Sequence, residues 1–438
     1  MHRSWVPLAA PFMLAAALCS PAALSQVAQV AQAVSPSAAP AGLSLSEAIE
    51  LALRHSPALR AAQSALQASE GAVWQAGARP NPELAALVED TRAQTRTTTV
   101  QLSQPIELGG QRAARLSVAQ LAQAQVAVDL QAARAQVRAD VTAAYFASAI
   151  AQEHVRLAQA SSDLAARALD AVARRVQAGK VSPVEETRAK VAHAAAALEL
   201  LQAQSEQRLA RQRLGSLMGR PASGLGPISW RASVDAAATP MPDMVGQQAS
   251  RLALAPVLSQ ARLEVARSQA LTKLEQARQT PDLTVTLGAR RDQEQGRNQL
   301  LIGLAMPLPV WDRNQGQVLQ ALRLQDKAQA DLDAAQSRVD TQWGELNERR
   351  QSALAEIQAL QRDVLPGAES AWQAAVTGFE LGKFSFLETL DAQRTLFQAR
   401  TQYLRALGDW HRSNADIDRL LGTDALDAPA AGPEKDQP

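Results

Sequence analysis

The sequence predicts a mainly α-helical chain with a small β part: long coiled-coil helical hairpins in two tandem repeats, with four strands per chain. Three observations carry this. Ala, Gln, Leu, Arg and Glu dominate the composition and aromatics make up only 3%, the bias of long helices rather than of several compact cores. Apolar residues keep heptad spacing over many turns in the second half. Landmarks of the first half also return in order: Pro57 and Pro256 lie 199 residues apart, as do Pro82 and Pro281. Pro105 and Pro307 are 202 apart, while Gly179 and Gly382, like Gly219 and Gly422, are 203 apart. A period near 200 residues is far longer than a solenoid unit and marks a duplication.

Residues 1–25 read as a secretory signal peptide. His2 and Arg3 precede an apolar run from Val6 to Leu18, short for a membrane-spanning helix, and Ala23-Leu24-Ser25 fits a small-x-small cleavage site. Cleavage there removes Cys19, the only cysteine, and with it any disulfide. Lipidation of Cys19 is the rival reading, against which stands Leu18 where a small residue is wanted. Residues 26–42 form a low-complexity, flexible leader.

The first repeat spans 43–218. Helix starts near Ser44 or Ser46, either of which can cap it, and runs to about Gly77. The rhythm then becomes two-residue, with Val100 and Leu102 alternating with Thr99, Gln101 and Ser103, placing strands at about 83–90 and 97–105. From Arg112 to Ala178 no proline interrupts a helical pattern, on the order of 100 Å of helix. Val126, Leu130, Val137, Val141 and Tyr145 share one stripe, and Ser161-Ser162-Asp163 is a soft spot. After a tip at about 179, a return helix reaches Leu217.

A Gly/Pro-rich connector (219–245) leads to the second repeat, 246–422, with strands at about 282–290 and 299–307 and a tip at about 382. The polar stretch RDQEQGRN reads as the loop between those strands. Val339, Trp343, Leu346, Arg350, Ala353, Ile357, Leu360 and Val364 follow 4,3 spacing, the seam of a left-handed coiled coil, with Arg350 discordant and Pro366 a kink. Residues 423–438 read as a disordered tail.

Charge and motifs limit the function. Net charge is +1 with the signs interspersed, which gives no footprint for nucleic acid. The histidines His2, His55, His154, His193 and His411 are scattered without ligand spacing, so neither an enzyme, a cofactor nor a metal site is expected. Each strand is near the 9–11 residues that cross a bilayer at a tilt. Four strands cannot close a barrel, so in lipid several chains must share one.

The duplication, the signal, the first-copy QPIELGGQR and the second-copy tip GFELGKFSFLETLDAQR make residues 43–422 resemble the TolC family of outer-membrane efflux proteins. The segment MPLPVWDRNQG (Met306 to Gly316) is similar to the CzcC-like branch, which serves heavy-metal cation efflux. That resemblance implies a homotrimer with a shared 12-stranded barrel in outer-membrane lipid and a periplasmic helical tunnel. It also implies a periplasmic adaptor (membrane fusion protein) and a proton-driven inner-membrane pump of the resistance-nodulation-division type. Channels exporting organic compounds or a secreted protein are the rival within the family. A soluble periplasmic coiled-coil scaffold or adaptor is the rival outside it.

Candidate residues follow from the same match. Glu388 and Asp391, three apart at the second tip, would narrow the entrance and select cations, with Glu185 as the first-copy counterpart of Glu388. Arg188 stands at the counterpart of Asp391. Phe384 replaces a residue that is polar or basic in many relatives. An ordinary helix start, where the macrodipole favours carboxylates, is the other reading of the acidic pair. Gly179, Lys180, Gly382 and Lys383 are the candidate adaptor contacts, although the glycines are also what such turns need. Pro105, Pro307 and Pro309 are expected to turn the chain from barrel into tunnel, with Trp311 at the membrane interface.

Overall fold

A computed structural model describes residues 43–228 and 251–422. The expected signal peptide (1–25), leader (26–42), much of the connector and the tail (423–438) lie outside the described residues.

The first element is split where the sequence pattern suggests one helix. Helix α1 (Leu45–His55) and helix α2 (Pro57–Gly77) part at Ser56. Pro57 has no N–H to continue α1, and the Ser56 hydroxyl instead accepts from Leu59 N–H at 3.3 Å to start α2. Of the two candidate caps on α1, Ser44 takes the bond, from Glu47 N–H at 3.3 Å.

Strands β1 (Glu83–Glu89) and β2 (Thr97–Ile106) are followed by helices α3 (Gln111–Gln177) and α4 (Pro183–Leu217). The second half repeats this with α5 (Pro256–Ala277), β3 (Leu283–Asp292), β4 (Arg297–Ala305) and α6 (Gln315–Ala359). A π-helical turn (Leu360–Val364), α7 (Leu365–Glu380) and α8 (Phe386–Leu421) complete it.

All four strands form one antiparallel sheet in the order β1-β2-β3-β4, leaving β1 and β4 as open edges. The hairpin of the second pair is tighter than the polar stretch suggests. Asp292 still pairs with Arg297, so the ladder runs through the charged residues on both sides of the turn. Leu84, Leu102, Leu287 and Ile302 stand in one row across the sheet, and Ala86, Val100, Ala289 and Leu300 in another. The pleat sends both rows to one face. Thr99, Gln101, Ser103 and Thr286 take the other, where the Ser103 and Thr286 hydroxyls meet at 3.0 Å. One side of the sheet is thus mainly apolar and the other mainly polar, with Leu87 and Leu301 the large apolar residues on the polar side.

The helices show two departures from the sequence pattern. Ser161-Ser162-Asp163 is no soft spot. Helix α3 runs unbroken through it, because a helix without proline needs no relief there; Gln159 donates to Asp163 at 2.8 Å and α8 docks Gln393 on Ser161 at 3.1 Å. In the second half the helix does change type. Pro366 cannot donate to the carbonyl four residues back, and the π turn, with Leu365 N–H bonded to the Leu360 carbonyl, absorbs the fault. One extra residue in the turn moves the apolar stripe. Val364 is 43% exposed, and Leu365, Ala368 and Trp372 carry the seam onward against Leu396 and Ala399.

The largest buried cluster lies where α1 and the C-terminal end of α4 meet the middle of α3, around Val141, Tyr145, Leu214 and Met218. The Tyr145 hydroxyl donates to the Leu43 carbonyl at 2.9 Å, and burial pushes that phenol up to about 12. Among the described residues no helix is long and apolar enough to cross a membrane.

Candidate functional site

Both hairpin tips use the same turn. In the second, Gly382 adopts φ 72°, Lys383 N–H reaches the Gly378 carbonyl at 2.8 Å and Gly382 N–H the Phe379 carbonyl at 3.0 Å. This is a Schellman close, which needs a left-handed residue where glycine sits. Gly378 has its own reason: a Cβ there would collide with the Phe384 ring. Ser385 then caps α8. Its hydroxyl accepts from Glu388 N–H at 3.3 Å, while the Glu388 carboxylate takes Ser385 N–H at 2.7 Å, a complete capping box. The bonds from the Ser385 backbone N–H and hydroxyl hold the Glu388 carboxyl below its ordinary range. The carboxylate is therefore ionised, and it folds back onto the cap. Asp391 is exposed one turn further on.

The first tip repeats the turn without the box. Gly179 has φ 69°, and Lys180 N–H reaches the Arg175 carbonyl at 2.9 Å. Ser182 caps α4 through Val184 N–H at 3.3 Å. Glu185 has the spacing to reach back, but Arg188 holds it at 3.0 Å, so the residue that replaces the counterpart of Asp391 also removes the box. Lys180 and Lys383 are exposed on their turns.

The two tips of one chain touch. The Arg175 guanidinium stacks over the Phe379 ring at 4.4 Å and donates to the Phe379 carbonyl at 3.3 Å. Val172 and Ala189 pack beneath, with Phe379 and Leu390 against them. Sequence reasoning missed this pair. Phe379 lies within the quoted tip motif, but nothing local links it to an arginine 204 positions away.

At the other end, each strand-to-helix link is tied to the helix before its strand pair. Arg115 bonds Glu107 at 2.6 Å and the carbonyls of Ala76 and Ala78 at 2.9 and 3.0 Å. Asn314 bonds the Glu275 carbonyl at 2.8 Å. Pro105 does not turn the chain. It lies inside β2, paired with Thr284 just past the end of β1, where its missing N–H costs no ladder bond. Gly109 and Gly110, at φ 70° and 75°, make that turn, and a Cβ on Gly109 would lie 2.7 Å from Thr280 Cβ. Pro307, Pro309 and Trp311 occupy the second link. Among the described residues, no three His, Cys, Asp or Glu side chains gather as metal ligands.

This architecture matches known proteins. The model of the family described as "Outer membrane efflux protein" matches residues 48–220 and 249–423. The chain belongs to that family. The cobalt-zinc-cadmium resistance protein CzcC of Cupriavidus metallidurans is 43% identical to this efflux protein over 426 residues, covering 96% of this chain and 100% of the relative. The nickel-cobalt-cadmium resistance protein NccC of Alcaligenes xylosoxydans xylosoxydans is 28% identical over 324 residues, 71% of this chain and 69% of its own. The crystal structure of the outer membrane protein VceC of Vibrio cholerae shares the fold, with a TM-score of 0.72 at 21% identity over 86% of this chain and 96% of that one. The two family matches fall on the two halves identified by the repeated landmarks, one tip in each.

Proposed function

We propose that the chain is the passive outer-membrane channel of a tripartite, proton-driven efflux system, carrying divalent heavy-metal cations from periplasm to exterior. The observation that supports it is the sheet. Its apolar face suits lipid, its polar face suits a water-filled lumen, and its two open edges need partners that lipid cannot give. Three chains joined edge to edge give a barrel of about 12 strands. The exposed stripe Val184, Val191 and Leu198 on α4 is spaced by sevens and offers a matching seam for a neighbouring copy's helix. The choice of cation rests on the 43% identity with a protein named for cobalt, zinc and cadmium resistance.

In this reading the exposed carboxylates of Asp391 and the capped Glu388, with the half-buried, Arg188-paired Glu185 in the other copy, ring the periplasmic entrance by threefold repetition and favour cations. The turns at Gly179, Lys180, Gly382 and Lys383 face the adaptor, which joins the channel to a resistance-nodulation-division pump. A passive conduit needs no tight metal site, since tight binding slows exit.

Deleting the gene should sensitise cells to cobalt, zinc or cadmium, with resistance restored by the intact copy. Sensitivity confined to organic toxicants would overturn the metal reading and leave the channel. In a planar bilayer, Glu388→Ala with Asp391→Ala should lower cation over anion selectivity. Unchanged selectivity would leave Glu388 as a helix cap and nothing more. A purified protein that stays a water-soluble monomer would remove the channel itself.

A further inference from the structure

The link between β4 and α6 differs from its first-copy counterpart in a way the channel does not require. On β4, Leu300, Ile302 and Leu304 lie on the apolar face of the sheet. The same two-residue rhythm continues past the end of the strand at Ala305, through Met306, Leu308 and Val310, and stops at Trp311. All four are exposed, Leu308 at 74% and Trp311 at 89%. Asp312 and Arg313 follow at once, so the chain passes from apolar to charged within one residue.

The segment is held, not loose. Pro307 and Pro309 fix two of its backbone torsions. Val310 N–H closes on the Leu308 carbonyl at 2.9 Å, and Gln315 reaches back to the Trp311 carbonyl at 3.3 Å. Asn314, at φ 59°, anchors the base by bonding the carbonyl and carboxylate of Glu275 at 2.8 and 2.9 Å. Preorganised apolar side chains standing in water at the end of a strand have a partner elsewhere. The first-copy link is shorter and more closely held, with Glu107 paired to Arg115 at 2.6 Å and Gly109 pressed against Thr280, and it exposes only Ile106 and Leu108, at 43% and 36%.

We propose that the segment from Met306 to Trp311 is a lipid anchor: it inserts into the periplasmic leaflet, with the Trp311 ring at headgroup level. Lipid is the occupant because the apolar residues of the segment follow directly on those of the strand face read as meeting the bilayer, in the same two-residue sequence rhythm. An amphipathic indole next to a charged pair suits the interface between acyl chains and water. Only the second copy has a tryptophan and a pair of prolines in this link, so each protomer contributes one anchor. The inference rests on the sheet lying in a membrane.

The test uses the full-length protein reconstituted in phosphatidylcholine vesicles, with bromines placed either just below the headgroups or near the acyl-chain ends. Wild type should show tryptophan fluorescence quenched more by the shallow bromines than by the deep ones. Trp311→Phe should lose that shallow-quenched component while still reconstituting. Leu308→Asn with Val310→Asn, both at exposed positions, should reduce shallow quenching of the Trp311 that remains. If Trp311→Phe reconstitutes and leaves the quenching by both lipids unchanged, the anchor is wrong. A cross-link from Trp311→Cys to a neighbouring copy would overturn it as well, by assigning the segment to the interface between copies. Failure of wild type itself to enter the vesicles would strike the channel reading, and is thereby distinguished.

Discussion

The two long arms of this chain, one per repeat, solve the same problem differently. The first is a single α-helix of 67 residues that passes Ser161 to Asp163 without interruption. The second breaks into α6, a π turn and α7 around Pro366. Both end in the same glycine turn, yet only the second return helix has a full capping box. The comparison teaches that a duplicated fold holds its tips and seams in register while letting the means of holding them diverge. A proline is acceptable where one extra residue resets the stripe, and half a capping box is dispensable where an ion pair has taken its carboxylate.

The largest expected effect comes from moving the fault to the arm without the relief. Ser162→Pro should cost about 3 kcal/mol or more, since α3 has no π turn to take up the lost bond and the ring clash. Pro366→Ala, where the turn already exists, should change stability by less than about 1 kcal/mol. Denaturant unfolding of the detergent-solubilised protein measures both, and equal costs would mean the π turn relieves nothing.

Next is a charge that only the second copy carries. Four residues before their terminal glycines, the first copy has Gly215 and the second has Asp418, half-buried and raised to about 6 by that desolvation, with Arg251 and Arg350 pulling it back. The discordant Arg350 of the apolar seam keeps its guanidinium hydrogen-bonded to Asn347 at 2.7 Å. Because the folded form holds the proton more tightly than the unfolded one, the contribution of Asp418 to stability is greatest at low pH and is lost as pH rises through about 6. Asp418→Asn should therefore gain on the order of 2 kcal/mol at pH 7 and flatten the dependence between about pH 4 and 6. Melting curves across that range decide it, and an unchanged slope rejects it.

Smaller differences are expected at the tips. Ser385→Ala should cost about 1 kcal/mol, and Ser182→Ala less, because only Ser385 belongs to a reciprocal box. Glu388 has a depressed folded pKa, so its share of that box is present at neutral pH and lost as pH falls through the folded value. Hydrogen exchange at the first turns of α8 and α4 separates the two caps. Arg175→Ala should cost about 0.5–1 kcal/mol and speed exchange around Gly382 while leaving the melting temperature of the whole protein nearly unchanged. Unaltered exchange there would assign the tip contact to the packing of Val172 and Leu390 alone.

Much of this was readable in advance because the signals are local. Alternation at Val100 to Ser103 and Leu300 to Met306 gives strands whose apolar residues share a face. The Gly-Lys turns and the Ser385 to Glu388 spacing give tips and a cap. The departures arise where a non-local fact overrides the pattern. Periodicity could not distinguish one helix from two across Ser56-Pro57, because both sides are helical. Heptad counting carried the seam to Val364, since it has no means of inserting a residue. Proline rules alone turned the chain at Pro105, whereas the end of β1 two residues earlier makes that position harmless within a strand. Arg175 over Phe379 depends on two hairpins meeting.

The unpaired margins of the sheet have a consequence for inheritance. If three chains must each lend both margins to one ring, a variant damaged along β4 does more than fail. It joins intact chains and spoils what they build. With equal expression of damaged and intact copies, about one ring in eight would be free of the fault under random mixing. Such a variant should act dominantly, and the loss of metal tolerance in cells carrying both copies would exceed what halving the gene dose produces.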